Sequence, residues 1–461
     1  MLSLYNSLTR EQEPLPDQKK IRLFVCGPTV YDYLHIGNAR TYIFFDFFAK
    51  LLRARGYGVT YVQNITDIDD KIIRRAGEER VEPAKLAARY SAAFLEDMRA
   101  LGVTAVDTYA PATEFITQIV AQVERLIDKG FAYQIDGDGW YFDISKDPDY
   151  GALSGRTTAQ AEDGVSRIDE SVNKRNKGDF CLWKFVPPES AADGEPSWPS
   201  TLGAGRPGWH IEDTAISEFY FGPQYEIHGG GVDLKFPHHE AEIAQQESAS
   251  GMKPFVRTWM HVGALTVDGR KMSKSAGNFI TIRDFLAEHP AVVLRWIVLS
   301  HHYRSPLDYS ERTMTQAVSE LENLYDLSLQ AREEMKNDPQ NPSRADAVPW
   351  KERFDAALDD DLNTPKAIAT MFEMLKDEKL SARSKFALAG IFDELFCMNI
   401  EQTIGQTDAI PGKDLEKFEE YKAFRANKQF IQSDALRAEL ERVGYVIRDS
   451  SEGSSITKKF L

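Results

Sequence analysis

Apolar positions along the chain change period several times, and each change predicts an element. Ile21 to Cys26 is a short, β-branched run suited to a strand buried in a parallel sheet, and Gly27-Pro-Thr29 breaks it. From Asn38 the period becomes helical, with Ile43, Phe47 and Leu51 on one face and Gly56 placed to end the helix. Val59 to Val62 returns as a second strand. Strand, helix and strand in that order form a βαβ unit, which predicts a parallel sheet with ligands at the carboxyl ends of its strands. From about Gly130 to Gly205, strand-like pieces such as Trp140 to Ile144 alternate with polar loops such as Pro187 to Pro199, as an insertion would. Tyr225 to His228 resumes the strand pattern and runs into Gly229-Gly-Gly231. Leu294 to about Glu394 predicts helices with one loop at Asp338 to Pro349. Thr403 to Lys413 reads as a linker, and Leu415 to Leu461 as a small, charge-rich unit.

Composition narrows the class. A chain of 461 residues holds three or four domains at about 100–200 residues each. Apolar residues make up 42% and charged residues 27%, enough for a sizeable core. The most apolar stretch, Tyr42 to Leu52, is interrupted by Asp46 and Lys50, and no run approaches the ~20 residues of a membrane span. Met1 to Tyr5 lacks a signal-peptide layout, and Cys26, Cys181 and Cys397 are too far apart for a disulfide framework. A cytoplasmic, reducing location and no membrane partner are expected. The net charge of -16 argues against coating nucleic acid through bulk positive charge, and leaves a local basic surface open.

Two segments carry candidate chemistry. His35-Ile-Gly-Asn38 lies between the first strand and the first long helix, where free N–H groups and the helix dipole suit a phosphate. Gly37 removes a side chain where a flat base could approach. The plainer reading is a polar turn that caps a helix. Lys271-Met-Ser-Lys-Ser275, in a basic loop, could neutralise charge on leaving pyrophosphate, or could simply be a solvated charged loop.

Taken together in this order, the two segments resemble the signatures of class I aminoacyl-tRNA synthetases. Phe24-Val-Cys-Gly-Pro-Thr-Val-Tyr31, Asn64-Ile-Thr-Asp-Ile-Asp-Asp-Lys71, Gly205-Arg-Pro-Gly-Trp-His-Ile-Glu212, Ile227-His-Gly-Gly-Gly-Val-Asp233, Phe236-Pro-His-His-Glu-Ala-Glu242 and Leu358-Asp-Asp-Asp-Leu-Asn-Thr-Pro365 narrow the resemblance to cysteinyl-tRNA synthetases over nearly the whole chain. The implied fold is α/β: a doubly wound, parallel-sheet, Rossmann-like catalytic domain with an insertion, then an all-α helical bundle and a small C-terminal domain. Its expected bounds are 1–129 and 206–268 for the two catalytic halves and 130–205 for the connective insertion. The signature-loop and stem-contact region follows at 269–315, the bundle at 316–402 and the anticodon-binding domain at 412–461.

The resemblance also implies site roles. One zinc would be held by Cys26, His238, Glu242 and Asp213, the last standing where many relatives carry Cys. His238 and Glu242 share a helix face by their i,i+4 spacing. Without the resemblance, they would read as a surface contact and Cys26 as a buried small hydrophobe. Cys181 is an alternative fourth ligand, and His239, about 100° round the helix, a less favoured one. Thr66, Trp209 and Asp233 would line the cysteine pocket, with Asp233 facing the ammonium. His35, Gly37, Asn38, His228, Gly229, Gly230, Gly231, Lys271 and Lys274 would bind ATP, and His35, Asn38, Lys271 and Lys274 would assist catalysis with Mg2+. Arg425, Phe430, Asp434, Arg437 and Asp449 would read the anticodon. The implied partners are ATP, L-cysteine and tRNA(Cys), and a monomer is expected. Two rivals stand beside this reading: a ligase joining cysteine to a small amine, and a non-catalytic RNA-binding paralogue.

Overall fold

The computed structural model describes residues 1–15, 18–156, 173–192, 194–337, 346–405, 410–450 and 453–458. It divides into two units, the first comprising Met1–Ala291, Val298–Ser310 and Ala356–Pro365, and the second Val292–Ile297, Glu311–Asp355 and Lys366–Leu461.

A five-stranded parallel sheet organises the first unit. Its strands are β1 (Lys20–Val25), β2 (Gly58–Ile65), β3 (Thr108–Pro111), β4 (Tyr225–Gly231) and β5 (Val256–Val262), in the order β5-β4-β1-β2-β3. The order reverses between β1 and β4, so ligands are expected at the carboxyl ends of these two strands. Cys26 ends β1 there, and its N–H donates to Gly229 O of β4 at 3.0 Å. This is the doubly wound, Rossmann-like parallel sheet that was expected.

Helix α1 (Ile36–Ala54) connects β1 to β2 and buries Ile43, Phe45, Phe47 and Leu51. It starts two residues before the expected Asn38, because His35 caps it. Gly56, at φ +83°, follows its end. The helices that position the site are α2 (Asp70–Glu79), α3 (Ile211–Phe221) and α4 (His238–Ser250). Between β3 and α3, an antiparallel sheet pairs Ala132–Ile135, Gly139–Phe142, Phe180–Phe185 and Gly205–Pro207 in that order. The strand expected over Trp140 to Ile144 stops at Phe142, since Asp143 caps a short 3-10 turn.

Arg40 ties α1 to the segments beyond the main sheet. Its buried guanidinium donates to Gly263 O and Ala264 O at 2.7 Å, to Tyr303 O at 3.3 Å and to Ser305 O at 2.5 Å. Burial pushes its pKa down to about 10. A three-stranded sheet then joins Arg270–Lys271, Leu265–Val267 and Leu307–Tyr309. That last strand interrupts the helical run expected from Leu294: three extended residues find a parallel partner in Leu265–Val267.

In the second unit, helices Glu311–Asn337 and Ala382–Phe396 pack together, and Tyr325 donates to Met398 O at 2.8 Å. Helices Gly412–Ala426 and Phe430–Arg442 and the hairpin Tyr445–Ser450/Gly453–Lys458 share a small core of Phe418, Tyr421, Leu440, Tyr445 and Ile447. Residues 338–345 of the expected loop, 406–409 of the expected linker, 157–172 of the insertion and the final 459–461 lie outside the described residues. Among the described residues, no helix is long and apolar enough to cross a membrane.

Candidate functional site

The cleft at the carboxyl ends of β1 and β4 has a volume of about 530 Å³. Cys26, His35, Gly37, Asn38, Thr66, Trp209, Asp213, Gly231, Asp233, His238 and Lys271 all line it. At its base, Cys26, Asp213, His238 and Glu242 are buried, and one donor atom from each lies within 4.8 Å of the others. His238 Nε2 is 2.9 Å from Asp213 Oδ2 and 3.1 Å from Glu242 Oε1, and Cys26 Sγ is 3.7 Å from that same oxygen. The elements explain the convergence: Cys26 ends β1, Asp213 lies in the first turn of α3, and His238 and Glu242 are one turn apart on α4.

The cluster fits a metal cation. Burial pushes the Cys26 thiol well up, and the Glu242 and Asp213 carboxylates push it further. Glu242 is raised for the same first reason, burial, and then by Asp213. Among the described residues its buried Oε2 has no hydrogen-bond partner, and His228 Nε2 lies 3.5 Å from it. A cation would stabilise all three charges and use that oxygen. The outer partners are in place as well. His238 Nδ1 meets His210 Nδ1 at 2.7 Å, and Asn64 donates to Asp213 Oδ1.

A second set, Cys26, His228, His239 and Glu242, lies within the same limit. His239 Nε2 is 3.1 Å from Cys26 Sγ and His228 Nε2 3.2 Å from it. The rotation that separates His239 from His238 therefore does not carry it away from Cys26, because the sulfur sits within reach of both faces of the helix start. Tyr225 OH contacts His228 Nδ1 at 2.6 Å, and His239 Nδ1 contacts His261 Nε2 at 2.9 Å. His228 is thus buried behind Cys26 and does not line the cleft, where an approach to adenosine was expected. Gly229 and Gly230 stand back with it: a Cβ on Gly229 would lie 2.1 Å from Phe45, and one on Gly230 2.8 Å from His239. Cys181 packs with Tyr133, Ile135 and Tyr141, away from the quartet.

Both readings of the His35 segment hold geometrically. His35 Nδ1 accepts from the Asn38 N–H at 3.3 Å, and Asn38 Oδ1 accepts from the His35 N–H at 3.2 Å, a reciprocal cap. With Nδ1 as acceptor, the neutral ring carries its proton on Nε2. Burial lowers the His35 pKa, so the neutral ring prevails at pH 7. Across the cleft, Lys274 pairs with Asp32 and lies 5.3 Å from the Phe279 ring centroid. Thr66 donates to the buried Glu212, and Trp209 stacks on His238 at 4.5 Å. In the second unit, Arg425 and Arg437 reach Asp449 at 2.8 and 3.6 Å, and Arg425 lies 5.5 Å from the Phe430 ring; Asp434 is exposed. Asp32, Glu212 and the His228–His239–His261 chain gave no spacing signal.

The family model for tRNA synthetases class I (C) catalytic domain matches residues 12–319, and the DALR domain model matches 353–383. A cysteine–tRNA ligase of Laribacter hongkongensis is 43% identical over 467 residues, covering 99% of this chain and 99% of that protein. The chain belongs to the cysteine–tRNA ligase family. A second relative bearing that name, from Clostridioides difficile, is 40% identical and covers 98% of this chain and 99% of its own length. Among solved structures, Mycobacterium tuberculosis methionyl-tRNA synthetase in complex with methionyl-adenylate has a TM-score of 0.60 at 16% identity, covering 84% of this chain and 93% of that one. This likeness concerns the fold.

Proposed function

We propose that this cleft activates L-cysteine with ATP and passes it to the terminal adenosine of tRNA(Cys), and that zinc held by Cys26, Asp213, His238 and Glu242 selects the thiol. The observation that carries the reading is the meeting of the buried quartet and both signature segments in one cleft. Zinc in that quartet supplies a Lewis-acidic position that accepts a thiolate and takes a hydroxyl poorly. Asp213 makes the set harder than one with two thiolates.

The chain's own groups do the rest. Asp233, exposed in the cleft, faces the substrate ammonium, and Thr66, fixed by Glu212, borders the side-chain pocket. The cysteine carboxylate forms a bond to the α-phosphorus of ATP, supplied with Mg2+, and the bond to pyrophosphate breaks in line. His35 donates from Nε2, and Lys271 and Lys274 neutralise the growing charge. The main-chain N–H of Asn38 holds His35 in the required tautomer, while its side chain fixes the His35 backbone. The 2′-hydroxyl of the terminal adenosine then attacks the acyl carbon and releases AMP. Arg425, Phe430, Asp434, Arg437 and Asp449 form the proposed anticodon-reading face, supported by the clustering of all but Asp434 around Asp449 and Phe430. The further reading is a cytoplasmic monomer; three cysteines that form no disulfide with one another support the compartment.

The test is charging of tRNA(Cys) by the full chain with labelled cysteine, and with serine in parallel. Charging by cysteine alone supports the reading. Charging of both, or of neither, overturns it.

A further inference from the structure

Lys71 is a cleft residue that the mechanism above leaves without a task. Its place is well defined. It is the second residue of α2, and its N–H donates to the capping Asp69 carboxylate at 2.7 Å. The same β2-to-α2 turn carries Thr66, so one short segment presents both side chains to the cleft. The Lys71 ammonium lies 5.6 Å from the Trp209 ring centroid and 5.8 Å from the Tyr31 centroid. Among the described residues it makes no ion pair with a carboxylate. Aromatic walls hold a cation while leaving its hydrogen-bond donors free.

The charges around it define what is missing. Asp32, Asp213 and Asp233 line the same cleft, so an entering carboxylate is repelled unless a cation meets it. Two of the other basic groups are already accounted for. Lys274 is paired with Asp32, and burial keeps His35 neutral. Lys271 belongs to the α1 side, where its neighbour Met272 approaches Gly37. Lys71 instead stands beside Trp209, whose ring stacks on His238 of the quartet. A cysteine with its thiol at the quartet and its ammonium at Asp233 leaves one charged group unmatched.

We propose that Lys71 binds the α-carboxylate of cysteine and orients it for attack on ATP. This inference rests on the proposed function and adds a residue to it. One carboxylate oxygen meets the ammonium while the other attacks phosphorus. The carboxylate loses its charge as the acyl-phosphate bond forms, so the contact is strongest in the ground state. Its removal therefore acts on KM for cysteine more than on kcat.

The experiment is ATP–pyrophosphate exchange by the full chain carrying Lys71→Met, with cysteamine as a competitive inhibitor. Cysteamine keeps the thiol and the amine and lacks the carboxylate. KM for cysteine should rise about 10- to 100-fold, the range for a lost charged hydrogen bond, with kcat changed less than about threefold. KM for ATP and inhibition by cysteamine should stay unchanged, and Lys71→Arg should recover most of the loss. Equal weakening of cysteine and cysteamine would show a merely structural role and overturn the proposal. A loss confined to ATP would place Lys71 on the triphosphate and overturn it too. An unsubstituted chain that exchanges with no amino acid would instead overturn the reading beneath it.

Discussion

Replacing His35 by Asn separates two tasks that fall on one side chain. The ring caps α1 through Nδ1 and offers Nε2–H to the cleft. Asparagine is itself a favoured cap, since its Oδ1 can take the place of Nδ1, but its short amide offers no second donor at the Nε2 position. The two cap bonds are long, 3.2 and 3.3 Å, so the cap sits in the lower half of the usual ~0.5–2 kcal/mol range. His35→Asn should therefore lie within about 0.5 kcal/mol of the unsubstituted chain, and His35→Ala about 1 kcal/mol below it. Both should lose cysteine-dependent ATP–pyrophosphate exchange by about 10²–10³-fold, the usual cost of removing one donor to a developing charge. Urea unfolding read by tryptophan fluorescence gives the stabilities, and exchange at saturating substrates gives the rate. An Asn variant exchanging within tenfold of the unsubstituted chain would refute the reasoning, because capping alone would then account for His35.

Three further outcomes follow from the same geometry. Gly229→Ala would drive a Cβ to 2.1–2.8 Å from three atoms of the buried Phe45 ring, and should cost about 1–3 kcal/mol in urea unfolding; no change would mean β4 and α1 separate freely. Burial and nearby Lys235 push His261 down to about 3 from 6.5, so between those values the unfolded chain binds a proton that the folded chain refuses. Stability of the metal-free chain should then fall with acidification by about 1.4 kcal/mol per pH unit from this group, and His261→Gln should reduce the slope between pH 6.5 and 5. Identical slopes would contradict the assignment. Asp32→Asn frees Lys274 for the triphosphate and should lower KM for ATP by up to about fivefold at low salt, with the difference shrinking as salt rises; an unchanged or higher KM would count against the pair as a competitor.

The parts of the fold legible in the sequence were those with a sustained period. The β1–α1–β2 unit showed itself because Ile21 to Cys26 and the Ile43, Phe47, Leu51 face repeat long enough to be read. Leu307–Tyr309 did not, since three residues are too few to display alternation, and their extended form depends on a partner far away in sequence. The quartet illustrates a different limit. His238 and Glu242 share a face by spacing alone, but Cys26 and Asp213 come from separate elements and were placed by family resemblance. His239 was set aside by its angle from His238, a measure blind to where the Cys26 sulfur would sit. The placing of His228 beside adenosine likewise rested on resemblance, and its burial against Cys26 and Tyr225 depends on strand register that no spacing displays. Lys71, at a helix start, and Asp32, in a loop, are single charges that carry no period, and only the assembled cleft shows Asp32 occupied and Lys71, among the described residues, without an ion pair.

The central claim is that the quartet holds zinc and that the metal meets the substrate sulfur directly. Zinc-edge X-ray absorption of the reconstituted full chain, with cysteine or serine added, reads this without relying on turnover. About one zinc per chain is predicted, with one sulfur neighbour, from Cys26, rising to two with cysteine and staying at one with serine. A chain that retains no zinc, or whose sulfur count is unchanged by cysteine, would contradict the account.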